Sequence, residues 1–168
     1  GKHYSDQFLG AFDQGSPRSP LWSFSYPSVV FFLWLSQTED PAAVSRFMRN
    51  IASEDDGQES ALRRVVSAEA WKEFAEDYLD GEIRQPGGRV VPVQPQAGRR
   101  IDIDGPSAPV VATAPYVVHR ERWRFRRGKA YELRQETIDP GVSVGFSRDG
   151  GKWQSPPDTV LACDQDVV

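Results

Sequence analysis

Tyr26-Pro27-Ser28-Val29-Val30-Phe31-Phe32-Leu33-Trp34-Leu35 contains a strongly apolar run that sets the reading of the first half of the chain. Val29 to Leu35 is far short of the ~20 apolar residues needed to cross a bilayer, so it predicts a buried core helix. Pro27 suits the first turn of that helix, where no backbone donor is needed. Nearly every position is apolar, so the helix should be covered on most sides.

Working outward, Asp40-Pro41 pairs an acidic N-cap with proline at the first helical position. Val44, Phe47, Met48 and Ile51 then recur at i, i+3, i+4 and i+7, one helical face. Glu54-Asp55-Asp56-Gly57 closes the segment and reads as a solvated loop, lacking the twelve-residue calcium-loop pattern. A short helix is expected from Leu62 to Val66. Ser67 caps another, which carries Trp71, Phe74, Ala75, Tyr78 and Leu79 inward and Glu69, Lys72, Glu73, Glu76 and Asp77 outward. Gly81 stops it. The span 1–84 is therefore expected to be a small helical bundle.

The stretch 85–98 holds three prolines and three glycines and reads as an extended connector. Beyond it the period becomes two. Arg122-Trp123-Arg124-Phe125-Arg126 alternates basic and aromatic residues as a half-buried strand does. A turn at Arg127-Gly128-Lys129 leads to an antiparallel partner through Tyr131 and Leu133. Val142, Val144 and Phe146 alternate again, and Asp149-Gly150-Gly151 turns the chain back to Trp153. Ile101, Ile103, Val110, Val111, Tyr116 and Val118 supply earlier strands. The expected architecture is α+β: a helical bundle over 1–84, a connector, and an antiparallel β-sandwich over 99–168.

Composition supports a real core, with 39% hydrophobic and 11% aromatic residues among 168. The formal charge of −4 names no partner class, but it is unevenly spread. Residues 1–88 carry eight Lys or Arg against fourteen Asp or Glu, and residues 89–168 carry twelve against ten. That shift falls at the Pro/Gly-rich stretch and marks two units. Cys163 is the single cysteine, so it is a small buried side chain or half of a bridge to a partner elsewhere. No signal peptide opens at Gly1, so an exported protein would carry its signal upstream.

Catalytic equipment is sparse. HExxH, GxGxxG, CxxC and the phosphate-binding Walker loop are all missing, and His3 and His119 are the two histidines. His3 has no ligand partner at useful spacing, and His119 sits in a strand pattern where a structural role is expected. Asp102 and Asp104 share a strand face in Ile101-Asp102-Ile103-Asp104-Gly105, a spacing that suits calcium or a carboxylate pair and equally an isoleucine-in, aspartate-out strand.

One order of elements is familiar. Tyr26 to Leu35, a capped helix, and then Ala61-Leu62-Arg63-Arg64-Val65-Val66-Ser67-Ala68-Glu69-Ala70-Trp71-Lys72-Glu73-Phe74-Ala75 resembles the C-terminal helical part of gluzincin-type zinc metallopeptidases. The resemblance covers Tyr4 to Leu79, and a following β-sandwich is common in secreted members. It implies that this chain is the downstream portion of such a protein, secreted or extracytoplasmic. The helical part would wall the substrate cleft and the β part would be an accessory module. Both zinc-bearing helices would then lie in an upstream catalytic region, the implied partner. This chain would hold no cofactor of its own and would be catalytically silent alone. Tyr26 occupies a position resembling the tyrosine that donates to the tetrahedral oxyanion in some of these enzymes. The residue types equally fit a helix-start tyrosine with a wet hydroxyl.

Two other readings stand beside it. The β unit could be a non-enzymatic module that recognises a cell-surface or polypeptide partner. Alternatively, Arg120, Arg122, Arg124 and Arg126 project from one face of a strand and could hold a polyanion. The half that carries them is only modestly basic, which argues against nucleic acid. Glu132 and Glu136 on the next strand are expected to pair with these arginines.

Overall fold

Five α-helices precede four short strands in the computed structural model, which describes residues 4–40, 42–52, 58–93, 99–107, 109, 113–134, 142–148 and 150–162. Readings that fall on His3, Pro41, Glu54-Asp55-Asp56-Gly57, Val110, Val111, Glu136, Asp149 and Cys163, and on positions 94–98, lie outside the described residues.

The helices are α1 (Tyr4–Gly15), α2 (Val29–Thr38), α3 (Ala43–Ala52), α4 (Gln58–Val65) and α5 (Ala68–Leu79). Pro27 sits in a single 3-10 turn, Tyr26–Ser28, that feeds directly into α2. The apolar run is a helix whose Val30, Phe31, Trp34 and Leu35 are buried. Asp40 caps the next element, its Oδ1 accepting the Ala42 amide at 2.6 Å. Arg46 bonds the same carboxylate and, with the Ala42 amide, holds it below the ordinary carboxylate range. Ser67 caps α5 through the Ala70 amide at 3.1 Å.

Two details of the helices differ from expectation. Met48 lies on the outer side of α3, 52% exposed, because Ala43 and Phe47 supply the buried face. The helix α1 has no counterpart in the expected pattern. Its Leu9, Phe12 and Asp13 are all buried, and Asp13 breaks the apolar stripe that would have announced it.

The helical core is a nest of rings. Phe74, fully buried, lies within about 6 Å of Phe12, Phe31, Trp34, Trp71 and Tyr78, mostly edge-to-face. Each fully buried ring of this kind contributes roughly 1.5–3 kcal/mol over an exposed one. The Trp34 indole N–H donates to Asp77 Oδ2 at 2.9 Å, so its polar end is satisfied.

The chain then folds back on itself. Arg84 bridges Val90 across a turn, and Ile83 and Val91 are buried in the helical core. Residues 116–120 return to the same core, where Val118 is buried and Tyr116 packs against Trp22 and Trp71. Tyr116 takes a left-handed backbone (φ 58°), a conformation that costs on the order of 1–3 kcal/mol and persists only where the surroundings dictate it. Here its carbonyl accepts the Leu21 amide and its hydroxyl donates to the Val66 carbonyl at 2.8 Å.

The β-rich part is not a sandwich among the described residues. The strands β1 (Arg99–Ile103) and β2 (Glu121–Phe125) form a parallel pair, and β3 (Lys129–Glu132) and β4 (Thr159–Ala162) form an antiparallel one. The expected hairpin between β2 and β3 does not form. Gly128 turns the chain at φ 76°, and the Tyr131 hydroxyl accepts the Arg126 amide and donates to the Ile103 carbonyl. The Arg126 amide also donates to that Ile103 carbonyl, continuing toward β1, and β3 pairs with β4. Ile103, Phe125 and Val160 are the buried residues between the pairs, too few to fill the interior of two facing sheets. Of the expected 142–146 strand, only Phe146 pairs, in one bridge with Gln154, while Val142 and Val144 stay exposed. No described helix is long and apolar enough to cross a membrane.

Candidate functional site

Tyr26 stands at the head of α2 with 75% of its surface exposed and its ring 5.3 Å from Phe8 of α1. The apolar body leans on α1 and the phenol reaches solvent. Of the large aromatics of α2, Phe31 and Trp34 are buried in the core and Phe32 is partly buried against it.

The four arginines singled out by sequence part company. Arg120 is buried and belongs to the helical half. Its Nη2 donates to the Asp13 carbonyl at 3.0 Å and to Asp13 Oδ1 at 3.1 Å, and the Tyr78 hydroxyl donates to the same Oδ1 at 2.7 Å. Burial first, and then the Asp13 carboxylate, pushes the Tyr78 phenol far above its ordinary range and keeps it a donor. Ser16 Oγ is buried in this cluster without a hydrogen bond of good geometry among the described residues. Backbone bonds run alongside: the Val118 amide donates to the Ser16 carbonyl, and His119 Nδ1 lies 3.1 Å from the Pro17 carbonyl. His119 Nε2 is 3.4 Å from Glu121, consistent with a bracing role.

Arg126 lies past the end of β2 and bonds Asp104 at 2.7 Å, which holds that carboxyl below its ordinary range. Arg122 and Arg124 remain together on the outer face of β2. The acids that answer Arg120 and Arg126 come from α1 and from the β1 side (Asp13 and Asp104), and Glu132 bonds Arg134. Sequence alone could not find this, because a parallel strand 22 residues upstream and an acid 107 residues away leave no local signal.

A pocket of about 210 Å³ opens between α2, α3 and α4 over Phe31, Trp34 and Phe47, with Glu39, Arg46 and Asn50 among its polar lining. Arg46 bonds Glu39 and Asp40, and Phe31, Trp34 and Phe47 give the pocket an apolar floor. Among the described residues no group of three or more His, Cys, Asp or Glu could hold a metal ion.

Comparison with family models, curated proteins and solved structures finds no match for this chain.

Proposed function

We propose that this chain is the downstream portion of a secreted, zinc-dependent peptidase-like protein, with the metal carried by an upstream region. The observation that supports this most directly is the placement of Tyr26. A phenol held out of the core at the head of a rigid apolar helix, steadied by one ring contact, can donate to charge that develops outside this chain. The helices behind it, packed through Phe31, Phe74 and Tyr78, form the firm wall that such a donor needs. In this reading the chain alone is silent, and its own contributions are the wall and the hydroxyl.

The test is the longer reading frame followed by kinetics on its product. The frame should encode HExxH within about a hundred residues upstream, with a glutamate on the following helix. The complete protein should then cleave a generic peptide only with zinc. Tyr26→Phe should lower kcat by roughly 10²-fold with little change in KM, the usual cost of losing one oxyanion donor. An upstream frame without that motif removes the proposal.

A second reading, a non-enzymatic extracellular module, is favoured by the exposed Val144 and Leu161 of the β-rich part, 49% and 52% accessible. It would lead if no metal site is encoded upstream, and a partner would then bury these two side chains.

A further inference from the structure

We propose that the pocket between α2 and α3 binds a small arylalkylammonium, one aromatic ring on a short chain that ends in a primary ammonium. Phe31, Trp34, Leu35 and Glu39 recur at i, i+3, i+4 and i+8, so they share one side of α2 and its end. Ala43, Arg46 and Phe47 recur at i, i+3 and i+4 on α3 and face them across a space of about 210 Å³, which Val65 and Ala70 close. Tyr26 lies outside this lining, and the assignment is independent of the peptidase-like reading.

Size and lining select a single ring. An apolar cavity of roughly 150 Å³ takes benzene, whereas sites for drug-sized ligands begin at about 300 Å³. The space here falls between the two. The Phe31 ring centroid lies 5.5 Å from those of both Trp34 and Phe47, so the floor is aromatic. An inserted ring can meet these rings in the offset or edge-on arrangements that aromatic groups favour. Ala43 and Ala70 supply short side chains where larger ones would fill the space.

Charge selects the headgroup. The charged residues of the lining are Glu39 and Arg46. Arg46 is already matched twice: Nη1 donates to both oxygens of Asp40, at 2.9 and 3.2 Å, and Nη2 donates to Glu39 Oε2 at 3.2 Å. One guanidinium thus stands against two carboxylates, and these three groups carry one negative charge between them. An incoming anion would have to displace a carboxylate from Arg46. An ammonium instead adds to Glu39, whose second oxygen can accept it. The Glu39 side chain is 57% exposed, so this contact supplies selectivity while burial of the ring supplies most of the binding.

The test titrates the intact chain with phenethylammonium, phenethyl alcohol, hydrocinnamate and n-butylammonium at matched ionic strength and neutral pH. The Trp34 indole and the Phe31 and Phe47 ring signals in NMR spectra report binding. Phenethylammonium should give saturable shifts, the alcohol should bind several-fold more weakly, the carboxylate about tenfold or more weakly, and the ringless amine not at all. Glu39→Gln should lower the affinity for the ammonium to that for the alcohol and leave the alcohol unchanged. Ala70→Leu fills the space and should weaken both by about tenfold or more, with far-UV circular dichroism and the melting temperature confirming the fold. Val65→Phe is a second filling variant if Ala70→Leu unfolds. Absence of saturable shifts at these rings overturns the assignment. So does equal or tighter binding of the alcohol or the carboxylate, or binding that folded Glu39→Gln and a folded filling variant leave unchanged.

Discussion

Asp13 and Arg120, 107 residues apart, meet as a buried ion pair at 3.1 Å, with side chains 2% and 6% exposed. One comes from the first helix and the other from the approach to β2, so a single charge pair ties the start of the chain to its β-rich part. The pair is supported in its burial by shared bonds: Arg120 Nη2 donates to both the carbonyl and the carboxylate of Asp13, and the Tyr78 hydroxyl adds a third hydrogen bond.

Removing one partner should cost far more than removing both. Arg120→Ala strands a buried carboxylate and is expected to lose roughly 3–5 kcal/mol in urea unfolding. The double variant Asp13→Leu with Arg120→Met should recover most of that loss. A loss under about 1 kcal/mol for Arg120→Ala would show that water reaches Asp13 and that the latch is weak.

Tyr78→Phe leaves the ring and deletes the hydroxyl that Asp13 accepts, so a loss of about 1–3 kcal/mol is expected in the same assay. The alkaline limb provides a second readout. The phenol is raised above its ordinary 10.0 in the fold and ionises normally when unfolded. Its contribution is therefore full below pH 10 and declines as pH rises beyond it, since the native state then holds more protons. The variant should flatten that decline, and an unchanged slope would assign it to other groups.

Phe74 is the hub of the aromatic core, and Phe74→Ala should cost about 3–5 kcal/mol, enough to approach the whole stability of many domains. Phe74→Leu, which keeps most of the volume, should cost clearly less. Thermal melts of the two variants separate cavity formation from simple loss of aromatic contact.

At the head of α5, Ser67→Ala removes the acceptor for the Ala70 amide and should lower stability by about 1 kcal/mol, whereas Ser67→Asp should restore it. If all three proteins melt together, solvent already serves that amide.

The sequence made the α2 and α5 helices legible because apolar spacing and caps are local signals. Phe74 and Tyr78 fall inward where the periodicity places them, and Ser67 caps as expected. What stayed hidden depends on distant partners. A charge inside an apolar stripe, as at Asp13, reads as an interruption until Arg120 is seen to answer it. Likewise Arg120, Arg122, Arg124 and Arg126 share a period in sequence, yet packing assigns them to different surroundings. The parallel pairing of β1 with β2 is equally silent, since alternation announces a strand but not its neighbour. Tyr26 was legible as a helix-start residue, while its outward ring depends on the placement of Phe8 in α1, the helix the pattern missed.

The return of residues 116–120 to the helical core also bears on how the protein is made. During vectorial synthesis, α1 to α5 are made and emerge ahead of Val118 and Arg120, so the nascent bundle carries an open seam and an Asp13 not yet paired with Arg120. Chains emerge at about 5–20 residues per second, which leaves that seam open for a few seconds. During that interval the exposed edge is a surface for chaperone capture, and completion of the bundle waits for a segment encoded after it.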